Sequence, residues 1–252
     1  MDTSDDAVLG GRLVLRQPLK GHRVGHDAIL LAAATGGVAH EHAVEFGAGV
    51  GAAGLALARR VPGLMATLVE IDPALAALAA HNAECNGLSE RVRTVTADAE
   101  DRTALAAAGL MPGTFDRVLM NPPFNDPARS TVSPDARRRL AHVADPGLLW
   151  RWLGSAAALL KPDGVLTLIW RADARDEVLA ALREGFGGAA VLPVLPRPDA
   201  AAIRILVRAV KGASPGLREE PGLVLNDAAG RPSAAAEAIL RGGGVLPLAA
   251  DA

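Results

Sequence analysis

The stretch DRVLMNPPFND, residues 116–126, gathers several chemically useful groups at one turn. Asp116 to Met120 reads as a short apolar strand that runs straight into Asn121, Pro122, Pro123 and Phe124. The carboxamide oxygen of Asn121 and the backbone carbonyl of Pro122 are adjacent acceptors. The two prolines fix φ and bring no N–H of their own, so no neighbouring donor competes for those acceptors. Phe124 adds an aromatic face. Two acceptors beside a ring suit a planar amino group: they can grip its two hydrogens while the ring sets its plane. An ordinary strand-end turn without a ligand is the plain alternative for the same four residues.

A second group lies upstream. AVEFGAGVGAAGLALARR, residues 43–60, reads as a strand, a glycine turn and a helix. Gly47, Gly49 and Gly51 let the backbone turn tightly and approach a ligand closely, and the N–H groups at the helix start face a polar or anionic group. Glu70 ends the next strand about 20 residues later, where an acid can accept from both hydroxyls of a ribose. Asp98, after the following strand, is placed at the same rim to accept from an adenine amino group; capping the helix over 101–108 is its other reading. Asp72 reads as a helix N-cap, with Pro73 in the first helical position. Gly49, Gly51 and Gly54 also satisfy G-x-G-x-x-G, so the turn points to a nucleotide-like cofactor without saying which.

These groups need a scaffold that brings several strand ends together. Short β-rich runs alternate with alanine- and leucine-rich helical runs, the pattern of a parallel sheet covered by helices. Strands are predicted over 43–47, 66–70, 92–96, 116–120, 164–170, 189–194 and 202–209. Helices are predicted over 27–34, 51–60, 73–86, 101–108, 146–160, 173–184 and 233–241. The chain has 252 residues, half of them hydrophobic, which suits one α/β domain over 1–252. Within it, 1–40 flanks substrate and cofactor, 41–210 is the core, and 211–252 is an extension packed on the core as a strand, a turn and a helix.

Ala43–Ala48, which includes Glu45, together with Glu70, Asp98 and Asn121–Phe124, resembles class I S-adenosylmethionine-dependent methyltransferases in order and spacing. NPPF is similar to the [DN]-P-P-[FYW] signature of members that methylate planar amino nitrogens: adenine N6, guanine N2, cytosine N4 or the glutamine amide. The segment RQPLKGHRVGHDAILLAAAT, residues 16–35, resembles the corresponding stretch of bacterial tRNA1(Val) adenine-37 N6-methyltransferases, as does the C-terminal LVLNDAAGRPSAAAEAIL. The resemblance implies a Rossmann-like sheet of seven strands, mostly parallel with one antiparallel, and helices on both faces. It implies S-adenosyl-L-methionine as cofactor and S-adenosyl-L-homocysteine as product. Asp27, Glu45, Gly47, Gly49, Gly51, Glu70, Asp98 and Asn121 would hold the cofactor, with Asp27 near its methionine end. Asn121, Pro122 and Phe124 would form the catalytic acceptor site.

The expected partner is RNA, above all tRNA. Net charge is −2, so a nucleic acid would have to meet a local basic patch. Arg12, Arg16, Lys20 and Arg23 precede the first core strand, and no acid lies between Ala7 and His26. Arg129, Arg137, Arg138, Arg139 and His142 follow NPPF. Both segments are expected to flank the crevice and meet RNA phosphates, and the 125–145 loop is long enough to serve as a lid. Cys85, the sole cysteine, excludes an internal disulfide and a cysteine zinc site and reads as a small apolar filler. His40 and His42 lack further ligands nearby, so no metal is expected. No apolar run approaches the roughly 20 residues that span a bilayer. The start MDTSDDAVLGG lacks the build of a secretory signal, and a reducing cytoplasm is expected. Rival readings are the same chemistry on a protein glutamine amide or a guanine N2, an NAD-dependent oxidoreductase, and a non-catalytic RNA-binding module.

Overall fold

The computed structural model of the protein describes residues 2–20, 23–123 and 147–250. It opens with an antiparallel hairpin, β1 (Thr3–Val8) and β2 (Leu13–Pro18). Then come α1 (His26–Thr35), β3 (His42–Phe46), α2 (Ala52–Arg60), β4 (Met65–Glu70), α3 (Pro73–Cys85) and β5 (Val92–Thr96). The second half contains α4 (Arg102–Ala107), β6 (Phe115–Met120), α5 (Leu148–Leu159), β7 (Leu160–Arg171), α6 (Arg175–Leu182), β8 (Phe186–Leu195) and β9 (Arg204–Lys211). The C-terminal extension supplies β10 (Leu217–Glu219), β11 (Leu223–Val224) and α7 (Ala234–Leu240).

The predicted strands and helices all appear, within a few residues at their ends, and one sheet collects the strands from β3 onward in the order β5-β4-β3-β6-β7-β9-β8. β9 runs antiparallel to both β7 and β8, while the other core pairs are parallel. β10 and β11 both add in parallel to β8. The inserted antiparallel β9 separates this sheet from an all-parallel dinucleotide fold of strand order 3-2-1-4-5-6.

Each face of the sheet carries its own core. One is covered by α1, α2 and α3, joined by Leu13 and Leu15 of the hairpin, which are fully buried. The other is covered by α4, α5 and α6. Because both faces are covered, the parallel strands read as continuous apolar runs rather than alternating ones. Helix starts are set by side-chain caps: Asp72 accepts from the amides of Ala74 and Leu75, Asp101 from Thr103 and Ala104, and Ser233 from Ala236. The extension is tied down from α2, where Arg60 donates to the carbonyls of Gly244 (2.6 Å) and Ile239 (2.7 Å).

The hairpin was not among the predicted elements. TSDDAV is polar and acidic, and its pairing with β2 decides its conformation. Its register places Asp5 opposite Arg16. Cys85 is also not the buried filler expected: it is exposed, its sulfur 3.3 Å from Nε2 of His81 one helical turn back.

Candidate active site

Strand register brings the predicted groups to one edge. Phe46 at the end of β3 is the partner of Val69 in β4 and of Met120 in β6. The next residue on each strand is therefore at one level: Glu70, Gly47 and Asn121, on neighbours about 4.8 Å apart. From β3 the chain moves outward to β4 and β5, then returns to β6 on the other side of β3. A crevice opens at such a reversal, outside the carboxyl ends of the strands.

The glycine turn is held by its neighbours. The amide of Ala48 donates to the carbonyl of Val69 (2.9 Å), Gly49 to Oε2 of Glu70 (2.7 Å) and Gly51 to the carbonyl of Ala48 (2.8 Å). Gly47 has φ 64°, and a Cβ there would lie 2.6 Å from the ring of Trp152 in α5. That ring is packed edge-on against Phe46, with centroids 6.0 Å apart, and supports the turn from below. Gly49 has φ 56°, and a Cβ added there meets nothing within 4 Å, so the turn faces open space. Gly54, the last glycine of the dinucleotide-like pattern, lies in α2 against Leu68 and Glu45. It serves close helix–strand packing and says nothing about the ligand.

The acids divide their tasks. Glu70 is buried; its Oε1 accepts from the Asp72 amide at 2.9 Å and its Oε2 from Gly49. A carboxylate has about four lone-pair sites, so each oxygen keeps an acceptor position. Ala97 donates its amide to the Glu70 carbonyl at 3.1 Å, which brings Asp98 to the same rim. Asp98 accepts from the Glu100 amide at 2.9 Å, while Asp101 caps α4. Ile71, between Glu70 and Asp72, is 54% exposed, an apolar wall at the rim. Sequence reading passed over it because an isoleucine at a strand end looks like core.

Glu45 lies beneath the turn rather than at its open side. It is buried, and its Oε2 accepts from the Gly54 amide at 2.7 Å. Burial pushes its carboxyl up to about 8; the Gly54 amide opposes the rise and the nearby Glu70 charge adds to it. The folded protein therefore keeps a proton that the unfolded chain has released above its ordinary 4.5. Stability should fall as pH rises from about 4.5 to about 8, because the charged form is disfavoured in the fold. Glu45→Gln keeps an acceptor for Gly54 and should remove this slope. Urea unfolding of both proteins across that range checks it; identical slopes would contradict the assignment.

Asn121 is half-buried and its carboxamide has no hydrogen-bond partner among the described residues; Pro122 is buried. Asp27 does not cap α1, whose N-cap is Gly25. Its Oδ2 accepts from Nε of Arg204 at 3.0 Å, at the end of β9 that shares this edge of the sheet. The N-terminal arginines differ from their reading as an unopposed basic rim. Arg16 makes a two-point pair with Asp5 (2.8 and 2.9 Å), and Arg23 pairs with Asp6 (2.7 Å). Arg12 donates to the Gly242 carbonyl at 3.0 Å. Lys20 is exposed. Phe124, Arg129, Arg137, Arg138, Arg139, His142 and the whole 125–145 lid segment lie outside the described residues, as does His22. Among the described residues, no group of three or more His, Cys, Asp or Glu side chains is arranged to hold a metal, and no helix is long and apolar enough to cross a membrane.

The family model for the methyltransferase small domain matches residues 26–193, from α1 into β8. The chain belongs to this family. Among its relatives, a tRNA1(Val) (adenine(37)-N6)-methyltransferase of Porphyromonas gingivalis is 34% identical over 151 residues, 58% of this chain and 58% of that protein. A release factor glutamine methyltransferase of Chlorobaculum tepidum is 34% identical over 155 residues, 59% of this chain and 52% of that one. The chain thus spans little more than half the length of these curated relatives. A crystal structure of a predicted O-methyltransferase from Agrobacterium tumefaciens superposes with a TM-score of 0.74 at 29% identity, covering 87% of this chain and 98% of that one. The fold is the Rossmann-like sheet of class I methyltransferases.

Proposed function

We propose that the protein is an S-adenosylmethionine-dependent N-methyltransferase acting on an exocyclic amino group, adenine N6 of tRNA. The observation that carries the reading is the alignment, at one strand level, of Glu70, the glycine turn and an Asn121 carboxamide that has no partner among the described residues. The residues fit the cofactor: Gly49 faces open space and the buried Glu70 keeps acceptor positions beside an exposed apolar Ile71. Gly47, Gly49, Gly51, Glu70 and Asp98 would hold its nucleoside, and Asp27 would lie near its methionine end. When bound, the cofactor supplies an electrophilic methyl group on a sulfonium.

The chain's own part is positioning. The lone pair of an exocyclic amine on a conjugated ring is delocalised, so the nitrogen is a weak nucleophile. Asn121 Oδ1 and the Pro122 carbonyl accept its two hydrogens, orient it and favour the pyramidal geometry in which charge develops. By the resemblance to the NPPF methyltransferases, Phe124, outside the described residues, would supply the stacking face for the base. No strong general base is required, because the cationic product amine loses its proton readily. An adenine in RNA must leave its stack to reach such a site. With Arg16 and Arg23 engaged by Asp5 and Asp6, the RNA-facing cations of this reading are Lys20 and the group Arg129, Arg137, Arg138 and Arg139. A cytoplasmic location accords with a tRNA substrate.

A second reading has specific support from the glutamine methyltransferase relative, since a glutamine amide presents the same planar NH2. One experiment separates the two. Bulk tRNA and a release factor are each incubated with the protein and S-adenosylmethionine, and the products are analysed by mass spectrometry. N6-methyladenosine in the tRNA is expected. Methylation of the release factor alone, or N2-methylguanosine, would replace the adenine assignment.

A further inference from the structure

The glycine turn is tied to the N-terminal hairpin by one side chain. Asn82, in the last turn of α3, is 1% exposed. Its Oδ1 accepts from the backbone amide of Arg16 at 2.8 Å. Its Nδ2 donates to the carbonyl of Arg16 (3.0 Å) and to the carbonyl of Val50 (3.0 Å), inside the turn. Both amide hydrogens and the oxygen are engaged. Four residues on, Asn86 repeats half of the pattern: Oδ1 accepts from the Val14 amide (2.9 Å) and Nδ2 donates to the Val14 carbonyl (2.8 Å). Four residues of helix advance about 6 Å and two residues of strand about 6.7 Å, so asparagines at this spacing can meet alternate residues of β2 in place of a third strand.

The two asparagines differ in where the second amide hydrogen goes: Asn82 gives it to the Val50 carbonyl in the turn, whereas Asn86 gives it to the Asn82 backbone carbonyl (2.7 Å). Val50 is nearly buried, so its carbonyl, without Asn82, would lose its partner in a place water reaches poorly. That carbonyl belongs to the turn whose Gly49 and Gly51 amides are already aimed at Glu70 and Ala48. Asn82 therefore holds a further polar group of the turn, the Val50 carbonyl. It does so from a residue that also grips β2, whose Gln17 accepts from the Val24 amide at 2.9 Å just ahead of α1.

We infer that Asn82 is a positioning residue for the cofactor: by holding the Val50 carbonyl it fixes the glycine turn, and it couples cofactor occupancy to the backbone of β2. The inference rests on the cofactor reading above. The test is calorimetric titration of S-adenosylhomocysteine into the wild type, Asn82→Asp, Asn82→Ala and Asn86→Ala, with steady-state kinetics alongside. Asn82→Asp keeps the shape and the bond from Arg16 but can donate to neither carbonyl. Both Asn82 variants should weaken S-adenosylhomocysteine binding at least about tenfold and raise the KM for S-adenosylmethionine in step, with kcat within about twofold. Asn86→Ala should lower stability alone and leave affinity unchanged. Unchanged affinity in Asn82→Asp, or equal loss in the Asn82 and Asn86 variants, overturns the inference.

Exchange in the wild type gives a second measurement that does not depend on any variant folding. Saturation with S-adenosylhomocysteine should slow hydrogen exchange at the Arg16 amide about tenfold and leave the Val14 amide as it was. Equal protection of both, or of neither, contradicts the coupling. A wild type that does not bind S-adenosylhomocysteine would remove the cofactor reading itself, whereas a wild type that binds it beside an indifferent Asn82→Asp removes only this inference.

Discussion

Asn121→Ala is expected to lower kcat by about 10²–10³-fold, the scale seen when one preorganised polar group is taken from a reaction centre. The binding constant for S-adenosylhomocysteine should stay within a few-fold. The separation follows from the structure. The proposed cofactor-facing groups are anchored on β3 and β4 and their loops, through Gly49, Glu70 and the Val69 carbonyl, whereas Asn121 stands just past β6 with a carboxamide that no described residue uses. Among the described residues, deleting it leaves no buried donor or acceptor orphaned, so thermal stability should hardly change. Asn121→Asp retains acceptor oxygens and should keep part of the turnover. Single-turnover methyl transfer measured beside calorimetric binding checks the division. Equal loss of binding and turnover would mean that Asn121 builds the cofactor site instead.

Glu70→Ala should have the opposite profile, weakening cofactor binding by about 100-fold. Two effects add. The proposed acceptor for the ribose hydroxyls disappears, and the amides of Gly49 and Asp72 lose the carboxylate that aims them. Because Glu70 is 7% exposed, part of the loss should also appear as stability, about 2 kcal/mol by urea unfolding. Glu70→Gln offers one oxygen where the native side chain uses two, and should fall between the wild type and the alanine variant. Calorimetry with S-adenosylhomocysteine reads the affinity, and unaltered binding in Glu70→Ala would show that the acid serves only to brace the turn.

The sheet was legible because its local signals agree with one another. Parallel strands covered on both faces leave plain apolar runs, and Asp72-Pro73 marks the start of α3 at the position where it occurs. The order of strands then placed Gly47, Glu70 and Asn121 on one edge. Other features were hidden because they depend on distant pairing. TSDDAV carries no strand signal of its own, yet as β1 it sets Asp5 and Asp6 against arginines that looked free in the linear chain. Asn82 lies in the alanine-rich α3 and Asn86 caps its C-terminus, and their spacing gains meaning only once β2 lies beside them. The glycine fingerprint was ambiguous for a related reason. Gly54 answers to packing against Leu68, a demand common to any helix that leaves a strand so closely, whatever the ligand.

The most direct measurement of the central claim is a crystal structure of the protein with S-adenosylhomocysteine. The proposed site predicts ribose hydroxyls on the Glu70 carboxylate, the ligand backbone over Gly49, and the sulfur turned toward the Asn121 carboxamide in the crevice beyond the carboxyl ends of β3 and β6. A ligand bound elsewhere, or seated with its sulfur facing away from Asn121, would contradict the account.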